Sequence, residues 1–307
     1  MYRNICKLMI PLLFFLSLCG CSGEDTLKAP EPGSGLRGST IQILESSADG
    51  ILTCENDLVA LDASNTDQGY IMLKWLKEQH KIKLQVTGPT NITYTYNVPS
   101  DGQWHTFPLT EGSGKYQLNV FENVYEDQYS QVFTDSVNVL LSSEQLPFLY
   151  PNEYVNFNEL TQAVQIASVL SESADDDIDV ISYIFYYVVT NISYDYEKAS
   201  TVRSGYIPDV DETLQSGKGI CFDYAALMAC MLRSQKIPTR LDIGYIGDVY
   251  HAWISTWVED QGWVYNIIEF DGTSWNMMDP TFTSESRGAD LTSYINNDDS
   301  YFVKYSY

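Results

Sequence analysis

Positive charge is scarce in this chain. Seventeen Lys and Arg residues face 41 Asp and Glu, a formal net charge of −24 over 307 residues. Such a chain repels a phosphate backbone, so nucleic-acid binding is excluded as a function, and partners of positive character are favoured. Histidine is scarcer still, with three residues in all, which leaves few bases for catalysis and few nitrogen ligands for a metal. Six cysteines do not make a disulfide-built exported protein. No apolar run approaches the roughly 20 residues of a membrane span. No internal repeat is visible, and the P-loop and dinucleotide patterns are missing, because Gly217-Lys218-Gly219 has neither the preceding strand nor the following Ser or Thr.

What is present begins with Arg3, Lys7 and a short apolar core from Leu8 to Leu18, the build of a secretory signal. The ending Leu18-Cys19-Gly20-Cys21 resembles a bacterial lipoprotein signal, which implies cleavage after residue 20 and lipidation of Cys21. Loss of Arg3 and Lys7 would take the charge to −24 − 2 = −26. Residues 21–39, rich in Gly, Ser and Pro, read as a flexible tether, and the protein is expected to face outward from the bacterial cell membrane on its lipid. Of the cysteines left after cleavage, only Cys54 and Cys230 are free to pair, and they fall in different regions.

Residues 40–146 alternate apolar and polar side chains in short runs, such as Lys81 to Thr87, Asn91 to Tyr96 and Lys115 to Phe121. Gly88-Pro89, Ser100-Asp101-Gly102 and Glu111-Gly112-Ser113-Gly114 interrupt them. The pattern predicts an all-β sandwich. Its many Tyr and Trp read as core and cross-strand pairs ahead of a saccharide-stacking face. From residue 147 to 307 helices and strands mix, with helices predicted over 158–170 and 178–192. Asp175, Asp177 and Asp179 have the spacing of early calcium-loop positions, but Val180 and Tyr186 stand where that loop needs Gly and Glu, so helix capping is the reading preferred.

The stretch Gly217 to Ile237 organises this second region. Tyr224, Ala225, Met228, Ala229 and Leu232 recur at helical spacing and Pro238 ends the run, so Cys221 sits at a helix N-terminus. Unpaired N–H groups and the helix dipole favour a thiolate there and should lower the thiol pKa toward neutrality. His251 is the histidine nearest in sequence, on a strand that follows another over 240–246. Asp279 lies on a later strand, shared with Trp275 and Met277. Cys, His and Asp in that order suit a nucleophile, a base and an orienting acid. Zinc is discounted, because Cys230 lies 230 − 221 = 9 residues on, half a turn off the Cys221 face. No cofactor is implied.

These residues resemble the transglutaminase-like superfamily of papain-like cysteine enzymes. The resemblance runs through Thr213-Leu214, Gly217 to Cys221, Ala225, Leu227, Ile237 to Arg240, Gly244-Tyr245, His251-Ala252-Trp253, Gly262-Trp263 and Asp279-Pro280-Thr281. It implies an α+β domain with a Cys-bearing helix packed on an antiparallel sheet that bears His and Asp. It also implies that Cys221 is the nucleophile, His251 the general base and Asp279 the acid that orients it. The separation 279 − 251 = 28 exceeds the single hairpin usual in the family, because residues 263–270 read as an added strand. Either that strand lies at an edge, or Glu269 or Asp271 takes the acid's place. Tyr194, in a tyrosine-rich stretch that the resemblance places beside the cleft, is the candidate second oxyanion donor after the Cys221 N–H. The expected chemistry is attack on an amide of a protein or peptide, such as a glutamine side chain, followed by transfer to an amine such as lysine or to water. The alternatives are a cysteine protease or amidase, and a non-catalytic cell-surface binding module.

Overall fold

A computed structural model describes residues 29–78, 80–246, 248–264, 268–270, 275–277 and 301–307. Residues 1–20, expected to be a secretory signal, and Cys21, Asp271 and Asp279 lie outside the described residues.

The N-terminal region is the all-β sandwich that the alternation predicts. One sheet has the order β1-β2-β3-β6, from β1 (Thr53–Glu55), β2 (Val59–Asp62), β3 (Tyr70–Trp75) and β6 (His105–Pro108). The other has the order β5-β4-β7-β8, from β4 (Ile82–Thr87), β5 (Thr93–Val98), β7 (Gly114–Tyr125) and β8 (Gln128–Val139). All pairings are antiparallel. Strand β4 buries Ile82, Leu84 and Val86 while Lys83, Gln85 and Thr87 stay partly open, the period-two pattern of a strand with one covered face. Trp75, Tyr94, Tyr96 and Tyr116 are buried, so the aromatic surplus is core. Tyr96 meets Phe107 edge-on, with ring centroids 5.3 Å apart, and joins the two sheets.

The second region is α+β. Helices α1 (Gln162–Leu170), α2 (Asp177–Asn191), α3 (Tyr196–Thr201) and α4 (Val210–Ser216) precede α5 (Cys221–Ser234), and two short strands, β9 (Ser193–Tyr194) and β10 (Lys218–Gly219), pair in parallel. An antiparallel sheet of order β13-β12-β11-β16 follows, from β11 (Thr239–Ile246), β12 (Val249–Val258), β13 (Gly262–Val264) and β16 (Tyr301–Ser306). Helix α5 lies against β11 and β12 on one side and α1 and α2 on the other. Every residue from Asp223 to Ser234 is therefore buried, and Ala225, Ala226 and Ala229 keep the helix narrow enough to fit.

Two corrections to the sequence reading follow. Residues 29–39 are docked. The backbone N–H of Ser34 donates to Asp175 at 2.7 Å, Arg37 pairs with Asp177 and donates to the Gln235 carbonyl at 2.6 Å, and the Gln42 N–H reaches the Ser234 carbonyl at 2.9 Å. A Gly- and Pro-rich segment with no secondary structure of its own is fixed by bonds to a partner surface, which composition does not reveal. The acids at 175–179 are those partners and caps. Asp176 caps α2 through the Asp179 N–H at 2.9 Å, and Asp179 accepts the Asp175 N–H at 2.9 Å.

The second correction concerns residues 263–270. Their described parts fall in two sheets: β13 lies at the edge, as one of the two alternatives expected, and pairs with β12 only at Thr256–Val258, while β14 (Ile268–Phe270) pairs with β15 (Trp275–Met277). No part of β13 lies beside His251.

Candidate active site

The residues before α5 set its start. Asp209 caps α4 by accepting the N–H groups of Asp211 and Glu212, both at 3.0 Å. Gly217 closes α4 with φ at 61°, a left-handed geometry that glycine takes without a Cβ penalty. Strand β10 then pairs with β9, setting Gly219 opposite Tyr194. Gly219 is needed for closeness: a Cβ there would lie 2.8 Å from the Asp223 Cβ. Asp223, at the third position of α5, accepts the Ile220 N–H at 2.8 Å and so fixes the helix start.

Cys221 thus emerges at the head of a buried helix. It is free and partly open to a cleft of about 480 Å³ whose lining also includes His251, Tyr194, Tyr206, Tyr250 and Arg203. The backbone N–H groups of Ala252, Phe222 and Cys221 itself face the sulfur and favour the thiolate. Burial outweighs them, and the Asp223 carboxylate acts in the same direction, so the thiol is pushed above its ordinary value. The lowered thiol pKa expected from the helix N-terminus is therefore not found in the free protein. The donors are in place, but desolvation of the sulfur is the larger effect.

His251 sits on β12 opposite Gly244 of β11. Its imidazole lies near the Trp253 ring, with centroids 6.5 Å apart and planes 23° from parallel. Burial lowers its pKa from 6.5 to about 4, so at neutral pH the ring is an uncharged base. Cys221 and His251 line one cleft from two elements, the helix head and the strand that passes it. Among the described residues no carboxylate is hydrogen-bonded to His251. Asp279 and Asp271 are outside that set, and Glu269 is placed only as a backbone position of β14 opposite Asn276. Asp242 shares the His251 face of the sheet, yet its oxygens take the hydroxyls of Ser255 and Ser306, each at 2.5 Å.

Tyr194 stands beside the nucleophile. Its hydroxyl accepts the Cys221 N–H, and its pKa is raised to about 12, mainly by burial and then by the nearby sulfur. It therefore keeps its proton at neutral pH and can donate a hydrogen bond.

The sequence reading passed over two further groups. Asp223 gathers Lys198 at 2.7 Å and Tyr206 at 2.5 Å beneath the helix head. An acid at the third helix position is a legible capping signal, whereas Lys198 carries no local mark. Arg233, fully buried at the other end of α5, donates to the carbonyls of Tyr150 at 2.9 Å, Thr239 at 2.8 and 2.9 Å, and Tyr307 at 2.6 Å. Burial lowers its pKa to about 9, and its bonds tie α5 to β11, to Tyr307 after β16 and to the loop at Tyr150. Among the described residues no group of three or more His, Cys, Asp or Glu is placed to hold a metal ion. No described helix is long and apolar enough to cross a membrane.

Residues 164–266 match the family described as the transglutaminase-like superfamily, a span that includes both Cys221 and His251. A UPF0252 protein from Methanocaldococcus jannaschii is 28% identical over 177 residues, 51% of this chain and 50% of that protein. The chain thus spans about half the length of this curated relative. Among solved structures, a protein from Cytophaga hutchinsonii described as a candidate cysteine protease is 12% identical. It aligns with 70% of this chain and 67% of its own, at a TM-score of 0.32. Red sea bream transglutaminase is 16% identical over 71% of this chain and 49% of its own, at a TM-score of 0.27.

Proposed function

With a transglutaminase-like domain at residues 164–266 as the premise, we propose that the protein is a thiol enzyme that attacks amide bonds and passes the acyl group to an amine or to water. The observation that carries this reading is the shared cleft: a cysteine at the head of a buried helix and a buried, uncharged imidazole line the same cavity of about 480 Å³.

In the resting protein both partners are neutral, since burial disfavours the thiolate and the imidazolium alike. His251 then acts as a general base at the moment of attack. It takes the thiol proton as sulfur bonds to the amide carbon, and later gives that proton to the departing amine, leaving a thioester on Cys221. An amine or water, deprotonated in turn by His251, attacks the thioester and releases Cys221. Asp279 is assigned the role of holding the His251 tautomer, by its position in the Asp-Pro-Thr signature. The Tyr194 hydroxyl is assigned to the developing oxyanion, because it can donate at neutral pH beside the Cys221 N–H.

The substrate proposed is a protein or peptide. Among the described residues that line the cleft there is no Asp or Glu, and Arg203 is the single Lys or Arg. An uncharged amide side chain, such as that of glutamine, fits this lining, and the acidic remainder of the chain favours a lysine-bearing acceptor. Anchorage through lipidated Cys21, with the enzyme facing outward from the membrane, belongs to the same proposal.

The test incubates the protein with a glutamine-bearing protein and a fluorescent amine, beside a Cys221→Ala control. Amine incorporation that is lost in the control establishes transfer, and new N-termini lost in the control establish proteolysis. Equal signals from both proteins, or none from either, would refute the proposal in favour of a binding module.

A further inference from the structure

The Asp223 carboxylate is enclosed, two residues from the sulfur and on the same helix turn. A charge buried so close to a nucleophilic thiol works against it, because a carboxylate repels the thiolate and competes for the positive end of the helix. The surrounding structure answers that charge at three points. The Ile220 N–H bonds one oxygen at 2.8 Å, the Lys198 ammonium meets the same oxygen at 2.7 Å, and the Tyr206 hydroxyl bonds the other at 2.5 Å. Lys198 also donates to the Tyr206 oxygen at 2.6 Å and lies 4.4 Å from the centre of that ring.

We propose that Lys198, braced by Tyr206, is a positioning residue that neutralises Asp223 beneath the head of α5 and so sets how readily Cys221 ionises. The proposal rests on Cys221 being the nucleophile. Lys198 belongs to α3, anchored by Asp195, whose side chain takes the Lys198 N–H at 2.9 Å. Ala199, Val202, Arg203 and Tyr206 of the same segment wall the cleft, so the pair also ties that wall to the helix that carries the sulfur.

Among the described residues few ionisable groups lie near the sulfur. Its own helix supplies Asp223, β9 supplies Tyr194, β12 supplies Tyr250, and His251 lines the same cleft, as does Arg203, which is exposed to solvent. Of the first four, Asp223 is the one paired with an ammonium, that of Lys198 at 2.7 Å; the phenols and the buried imidazole are uncharged at neutral pH. Taking away the ammonium exposes the thiolate to an unanswered carboxylate.

The experiment measures the rate of iodoacetamide modification of Cys221, followed by mass of the Cys221 peptide, across pH in the full chain. Lys198→Met is expected to move the inflection of the rate curve to higher pH and to slow modification about tenfold below the inflection. The rate on the alkaline plateau should stay unchanged. Lys198→Arg should restore the wild-type curve, and adding Asp223→Asn to Lys198→Met should bring the inflection back down. An unshifted inflection in folded Lys198→Met, or a slowing by the same factor at every pH, would overturn the proposal, since a structural role alone predicts the latter. Should Lys198→Met fail to fold, Tyr206→Phe keeps the ring and removes one bond to Asp223, and it must show a shift in the same direction. Alkylation needs only an ionised sulfur, so the result stands whether or not acyl transfer is detected.

Discussion

Replacing His251 with glutamine, which keeps a polar side chain but removes the titration, should change how stability depends on pH by an amount set by burial. In the native protein the ring titrates at about 4, and in the unfolded chain at its ordinary 6.5. Between those values the unfolded state binds the extra proton. Stability therefore rises with pH through this window, and it is lost as pH falls from about 6.5 toward 4. The limiting loss is about 3.5 kcal/mol at roughly 1.4 kcal/mol per unit, and about 2.5 kcal/mol of it is realised at pH 4.5. Other groups titrate here too. Glu153, raised by burial to about 7, acts with the opposite sign, because it is protonated in the folded state where the unfolded carboxyl is already charged. The difference between wild type and His251→Gln removes such shared contributions. Urea unfolding of both proteins at pH 7 and pH 4.5 should show wild type losing about 2.5 kcal/mol more than the variant on acidification. Equal losses, or a greater loss in the variant, would refute the buried neutral imidazole and with it the resting state from which His251 acts as a base.

Two other outcomes follow from the packing of α5. Gly219→Ala drives a Cβ to within 2.8 Å of the Asp223 Cβ, so it should cost about 1–3 kcal/mol in urea unfolding and slow alkylation of Cys221 by disturbing the helix start. Arg233→Met removes four hydrogen bonds from buried carbonyls at the far end of α5; it should lower stability by about 3 kcal/mol while Cys221 in the folded variant keeps its alkylation profile.

Much of this architecture is local in origin, and that part was legible in the chain. Period-two alternation in residues 82–87 and helical spacing from Tyr224 to Leu232 come from one face meeting a core, so they mark β4 and α5 in sequence. The glycines before Cys221 were visible as a motif, although their separate reasons, a left-handed cap at Gly217 and a close approach at Gly219, need coordinates. Long-range pairing was not legible. Residues 301–306 join the sheet beside β11 although β11 ends 55 positions earlier (301 − 246), and no turn chemistry announces it. The Gly- and Pro-rich residues 29–39 looked unattached because hydrogen-bond partners such as Asp175, Asp177 and Gln235 lie just before α2, at its start and just after α5, more than 130 positions away in sequence. At the site, residue types predicted which side chains to watch but not their protonation. A helix N-terminus lowers a thiol pKa only while the sulfur stays hydrated, and Cys221 is too enclosed for the dipole to prevail.

The central claim is that the Cys221 sulfur takes the acyl group. Its most direct measurement is intact-protein and peptide mass spectrometry after brief exposure to a glutamine-bearing peptide, quenched in acid. The account predicts an acyl adduct on Cys221 that hydroxylamine removes, that accumulates when amine is withheld, and that is missing from Cys221→Ser under the same thioester-specific treatment. Peptide cleavage or amine transfer at the wild-type rate in Cys221→Ala, with no adduct in wild type at any time point, would contradict it.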